Sequence, residues 1–181
     1  MHQLDSSLST WLAQIFLHNP TTVFVFSLFS FNTSAFVIWL AVFTVLWVMR
    51  LVNKKHAIVY FATIGSTALV ANYILKWVFQ RNRPIPPVAL GFVCPTDYSF
   101  PSAHAAISFA CAVVLSQYDR KRSVFYYSLA VLISYSRIFL YCHYFFDVAT
   151  GMMLGIGMGL TAIWVEKHRR RIVNTIKRVY Q

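Results

Sequence analysis

Seven polar side chains stand at the ends of otherwise apolar segments: Lys76, Arg83, Ser102, His104, Arg137, His143 and Asp147, with Arg81 beside them. Charge at a membrane edge is costly, so an ordered series of this kind points to a site for a strongly anionic group. Lys76 and Arg83 are seven residues apart, close to two helical turns, and share a face if the helix continues. Pro84 disfavours helical backbone at Arg83, which could equally leave the helix and fold back. Either way two cations can be aimed at one anion, Arg with forked hydrogen bonds to phosphate oxygens and Lys with a point charge. Ser102 stands at an expected helix start, where a capping serine also leaves free N–H groups at the positive helix end. His104 can protonate a leaving oxygen, because its unperturbed pKa lies near working pH. His143 and Asp147, four apart, share a helical face. A carboxylate on one imidazole nitrogen fixes the tautomer and leaves the other nitrogen as a nucleophile. Arg137 adds a third cation.

Each group taken singly also fits a structural role: snorkelling cations at a helix end, a plain N-cap, an interfacial His paired with Asp. The order and convergence of the series are what favour chemistry.

The chain of 181 residues is long enough for one domain, 1–181, with the motifs in 76–147 and a basic tail in 166–181. Hydrophobic residues make up 58% and charged residues 12%, a balance that points to transmembrane helices. No charged n-region followed by a small-residue cleavage site is present, so the first apolar segment is expected to stay in the mature protein. The net charge of +11 would suggest nucleic-acid binding in a soluble protein. Here topology explains it better, and no nucleic-acid partner is expected. Arg50, Lys54 and Lys55 form one cluster, Arg120, Lys121 and Arg122 a second, and Lys167, Arg169, Arg170, Arg171, Lys177 and Arg178 the tail. All can share the cytoplasmic side of the membrane. The four basic residues left over are Lys76, Arg81, Arg83 and Arg137, all in the opening series.

Apolar periodicity predicts an all-α fold with spans over 34–49, 57–78, 101–117, 124–141 and 146–165. Pro101 is placed in the first turn of the third of these. Leu8 to Phe31, split by Pro20 and followed by a turn at Asn32 and Thr33, reads as a kinked sixth span, with an interfacial helix as the alternative. A Pro-rich loop (Pro84, Pro86, Pro87, Pro95) joins the second and third spans. Gly151, Gly155 and Gly159 form a small-residue row suited to close helix packing. With the basic clusters inside, Lys76, Ser102, His104, Arg137, His143 and Asp147 all come to the outer face. Cys94, Cys111 and Cys142 lack metal-type spacing. Cys111 reads as buried, and the sequence favours leaving Cys94 and Cys142 unpaired.

The three stretches K-x6-R-P, P-S-x-H and S-R-x5-H-x3-D, in that order over Lys76 to Asp147, resemble the type 2 phosphatidic acid phosphatase superfamily, which shares its site with vanadium haloperoxidases. Ala103 departs from the family's usual Gly. The resemblance implies a six-span bundle with a haloperoxidase-like core, catalysis by His143, Asp147 and His104, and substrate contacts from Lys76, Arg83, Ser102, Ala103 and Arg137. His143 would form a phosphohistidine, Asp147 would orient it, and His104 would protonate the leaving group and then help activate water. No cofactor and no metal are implied. Asp97 and Asp147 are taken as the only acidic groups facing outward, too few for two metal ions. Arg81 is set aside as a bystander.

The expected function is therefore a multi-pass lipid phosphatase of a bacterial-type plasma membrane, with an outward site and a cytoplasmic C-terminus. Its partners are the bilayer and a lipid phosphate, foremost undecaprenyl pyrophosphate. Phosphatidylglycerol phosphate, phosphatidic acid and lipid A phosphate remain open, as does a non-catalytic anionic-lipid transporter; oligomeric state is not legible.

Overall fold

The computed structural model describes residues 2–31, 33–86 and 90–179, with side chains described up to residue 169. Asn32, Pro87 and the tail side chains Arg170, Arg171, Lys177 and Arg178 lie outside the described residues. Among the described residues the regular structure is helical throughout.

Helices α1 (His2–Ala13) and α2 (Pro20–Leu28) come first. Pro20 sits in the first turn of α2, and Asn19 caps it by accepting from Thr22 N at 2.8 Å. The segment 8–31 is thus two short helices rather than one kinked span. Both fall below the ~20 apolar residues a crossing needs, because Asn19 and Pro20 start a new helix instead of bending an old one.

Helix α3 (Ser34–Val48) is followed by α4 (Lys54–Phe79), whose stretch Leu69–Leu75 is π-helical and delivers Lys76. Helix α4 ends at Gln80, left-handed at φ 45°, whose N–H returns to the Lys76 carbonyl at 2.9 Å. Helix α5 (Ala103–Tyr118), α6 (Ser123–Phe139) and α7 (Phe145–Val179) complete the bundle. Pro101 lies before α5 and not in its first turn; Ser102 is the cap. Helix α7 runs on unbroken through the basic tail.

Lys54–Phe79 and Phe145–Arg169 are long and apolar enough to cross a membrane, while Ser34–Val48 and Ala103–Tyr118 are apolar but shorter. The apolar surface around them is extensive: Leu17, Val48, Ile58, Trp77, Val124 and Trp164 are all exposed. So much outward apolar area is unusual for a protein in water and ordinary for one in lipid.

Helix α5 is the centre. It is buried on nearly every face, as a helix surrounded by others must be. Gly151, Gly155 and Gly159 let α7 lie directly on it: a Cβ at Gly151 or Gly155 would overlap the Ser102 or Ala106 carbonyl, and one at Gly159 would come within 2.8 Å of Val113. The close-packing reading of this row holds. On the other side Trp39 Nε1 donates to Ser108 Oγ at 3.0 Å, and Tyr60 Oη to the Trp39 carbonyl at 2.9 Å. The start of α5 is thereby held rigidly against α3, α4 and α7.

Candidate active site

The chain places Lys76, Arg83, His104, Arg137 and His143 around one cavity of about 100 Å³, with Ala103 in its wall. Lys76 comes from the end of α4 and His104 from the first turn of α5. Arg137 comes from the last turn of α6. Arg83 arrives by the second route open to it: past Gln80 the chain leaves the helix and doubles back. Ser99 N donates to the Arg81 carbonyl at 2.8 Å and Ser99 Oγ to the Asn82 carbonyl at 3.1 Å.

Arg83 Nη1 donates to the Cys142 carbonyl at 2.7 Å and to His143 Nε2 at 3.1 Å. A guanidinium cannot accept, so Nε2 supplies a lone pair and the neutral ring carries its proton on Nδ1. Nδ1 faces Asp147 Oδ2 at 3.6 Å, beyond hydrogen-bond length but within ion-pair reach. His143 lies in the turn between α6 and α7. Burial, then the charges of Arg83, Arg137 and Lys76, push its pKa well below the ordinary 6.5. The ring is therefore neutral and its Nε2 lone pair is turned to the cavity's cations.

His104 Nε2 donates to the Phe31 carbonyl at 3.0 Å. Ser102 is fully buried at the α5 cap, its N–H on the Asp147 carbonyl at 3.0 Å and its Oγ near Ala105 N at 3.5 Å. Arg137, fully buried, spends Nη1 on Ser30, including Ser30 Oγ at 2.5 Å. Its Nε and Nη2 are buried with no acceptor among the described residues, so both donors are available to an anion in the cavity the side chain lines.

Asp97 also lines this cavity. Its carboxylate pairs with Lys76 Nζ and, at 2.5 Å, with Arg83 Nη2, while Arg83 Nε donates to its carbonyl at 2.8 Å. Burial pushes the Asp97 carboxyl up, but hydrogen bonds from Lys76 and Arg83 outweigh it and hold it below the usual carboxylate range. A carboxylate thus lies where two cations converge.

Three expectations from the sequence are overturned. Arg81 is no bystander: Nη1 meets Asp147 Oδ1 and Nη2 meets Asp5 Oδ2, each at 2.6 Å. Asp97 and Asp147 are not the only acidic groups at this end, since Asp5 joins them through Arg81. Cys94 and Cys142 form a disulfide, which ties the loop after α4 to the residue before His143. The signal for the first two was present: the chain has only five Asp and Glu, and an acidic residue that scarce in an apolar protein seldom lacks a partner.

The family model described as the PAP2 superfamily matches residues 55–171. The undecaprenyl-diphosphatase of Sulfolobus acidocaldarius is 30% identical over 133 residues, 71% of this chain and 64% of the relative, so the match spans just under two thirds of that protein. The lipid A 4'-phosphatase of Bacteroides thetaiotaomicron is 30% identical over 173 residues, 86% of this chain and 75% of the relative. In fold, the chain is similar to the crystal structure of the first transmembrane PAP2 type phosphatidylglycerolphosphate phosphatase from Bacillus subtilis, with a TM-score of 0.70 and 22% identity over 92% of this chain and 86% of that one.

Proposed function

This chain belongs to the PAP2 superfamily, and from that premise we propose that it is a membrane phosphatase acting on a lipid phosphate or diphosphate through a phosphohistidine. The observation that carries the reading is the contact of Arg83 Nη1 with His143 Nε2. It sets a neutral imidazole, lone pair forward, among Lys76, Arg83 and Arg137, the cations that would hold the phosphoryl oxygens.

In this reading His143 Nε2 attacks phosphorus while the bond to the leaving oxygen breaks. His104 gives that oxygen a proton; it then takes one from the water that hydrolyses the phosphohistidine. Asp147 stabilises the imidazolium side of the intermediate, and the buried N–H groups of Arg137 with the Ser102 end of α5 take up charge on the equatorial oxygens. Three side-chain cations supply the positive charge that metal ions supply elsewhere, so the reaction proceeds without metal. Ala103, no larger than a methyl group, leaves the α5 start open to the substrate.

The bundle crosses the membrane as one domain, the basic clusters inside and the cavity at the outer interface. We favour undecaprenyl pyrophosphate, whose tail stays in the bilayer and whose diphosphate reaches the headgroup layer; the Sulfolobus relative supports it. Lipid A phosphate is the second reading, supported by the Bacteroides relative aligned over 86% of this chain.

Purified protein assayed in EDTA against undecaprenyl pyrophosphate, lipid A, phosphatidylglycerol phosphate and phosphatidic acid is expected to release phosphate, fastest from the first, with vanadate inhibiting. His143→Ala is expected to abolish release while the protein stays folded. Release by that variant would sink the mechanism. Silence of the wild type on the whole panel would favour a transporter.

A further inference from the structure

The reaction as drawn leaves one polar cluster unused, and it touches the nucleophile's partner from behind. Asp147 is fully buried and each of its oxygens is engaged. Oδ2 accepts from Tyr144 N at 2.9 Å and faces His143 Nδ1, and Oδ1 accepts from Arg81 Nη1 at 2.6 Å. The Arg81 guanidinium lies 4.1 Å from the Tyr144 ring centre and uses its other terminal nitrogen on Asp5 Oδ2 at 2.6 Å.

Asp5 belongs to α1, far away in sequence, and is only 2% exposed. Its Oδ1 accepts from Phe146 N at 3.1 Å, and Ser9 Oγ, one turn on, accepts from Phe145 N at 2.7 Å. Helix α1 therefore satisfies the first N–H groups of α7, the helix that bears Asp147. One guanidinium bridges two buried carboxylates, and only a fork can do so: an ammonium reaches one or the other. Without it the two like charges would face each other in a buried place, and the Asp147 carboxylate would lose the ion pair on Oδ1 that complements the Tyr144 N–H on Oδ2.

We propose that Arg81, anchored by Asp5, is a positioning residue that fixes the Asp147 carboxylate toward His143 Nδ1, so that α1 becomes part of the catalytic assembly. The inference rests on the phosphohistidine reading above. It assigns Arg81 no contact with substrate.

The test separates positioning from binding. Arg81→Met is expected to lower kcat on the order of 100-fold, as loss of an orienting partner does. KM and the vanadate inhibition constant are expected to stay within about threefold, because Lys76, Arg83, Ser102 and Arg137 are untouched. Arg81→Lys should recover part of kcat, and Asp5→Asn, which keeps the Arg81–Asp147 pair, should lose only about tenfold. These two variants take the same measurements should Arg81→Met not fold. A KM rise at unchanged kcat would overturn the proposal by making Arg81 a substrate ligand; so would a kcat near wild type in all three variants.

A second readout needs no turnover. In protein labelled with 15N-histidine, the His143 Nδ1 resonance is expected to move in Arg81→Met and Arg81→Lys, and an unmoved resonance would overturn the proposal. A wild type that releases no phosphate would overturn the phosphatase reading instead, leaving the resonance to decide Arg81.

Discussion

Arg83 Nη1 stands 3.1 Å from His143 Nε2, and that single contact decides which imidazole nitrogen has a lone pair. It also places a cation beside the nitrogen that a proton would have to occupy to quench that lone pair.

The acid limb of kcat/KM follows from this. In the proposed mechanism, protonating His143 removes the attacking lone pair, and burial with three nearby cations holds its pKa well below 6.5. Activity is therefore expected to persist as pH falls through 6.5 and to be lost only as pH approaches the lowered value. A pH profile on a substrate whose own phosphate does not titrate in that range checks it; an acid limb at or above pH 6.5 would contradict it.

In the proposed reaction, Asp97 competes for the cations that would hold an incoming phosphoryl group. Its side chain is 49% exposed, so the pairing is worth no more than about 1 kcal/mol. Asp97→Asn is expected to tighten vanadate inhibition about fivefold, the equivalent of that energy. Weaker inhibition would mean that Asp97 organises Lys76 and Arg83 instead of blocking them.

Helix contact can be tested without substrate. Gly155→Ala forces a methyl group into the Ala106 carbonyl and is expected to cost about 1–3 kcal/mol, read as a lower Tm in detergent. Gly157→Ala on the same helix meets nothing within 4 Å and is expected to leave Tm unchanged or slightly raised. Equal effects at the two positions would argue against the α5–α7 contact.

The Cys94–Cys142 bond closes a loop with a sequence separation of 48. By chain entropy such a bond contributes at most about 4 kcal/mol. Non-reduced peptide mapping is expected to recover the two cysteines linked, and Cys94→Ser with Cys142→Ser to lower Tm. Two free thiols in protein from an oxidising compartment would refute the pairing.

What the sequence made legible was whatever depends on spacing along one segment. His143 and Asp147 had to share a face; Ser102 had to cap a helix; Lys76 and Arg83 could be aimed together by either of two backbones. What it hid depends on segments meeting. Asp5 and Asp147 converge on Arg81 from opposite ends of the chain, and no local pattern says that α1 lies against the start of α7. Cys94 and Cys142 were illegible for the same reason, since pairing needs the geometry of a loop that has no periodicity. The 8–31 segment misled because apolar content marks affinity for lipid, whereas Asn19 and Pro20 decide where one helix stops and the next begins.

The π-helical run Leu69–Leu75 directly before Lys76 has a consequence of a different kind. A π turn holds one residue more than the α turn it replaces, which rotates everything downstream by about 100°. In effect α4 contains an insertion absorbed without a loop, and Lys76 faces the cavity because of it. Wound as regular α-helix throughout, the same residues would turn Lys76 away from the cavity, whereas removing one residue between 69 and 75 would relax the π turns and leave the lysine in place. For the residues as they stand, regular α-helical hydrogen bonding and a cavity-facing lysine are alternatives.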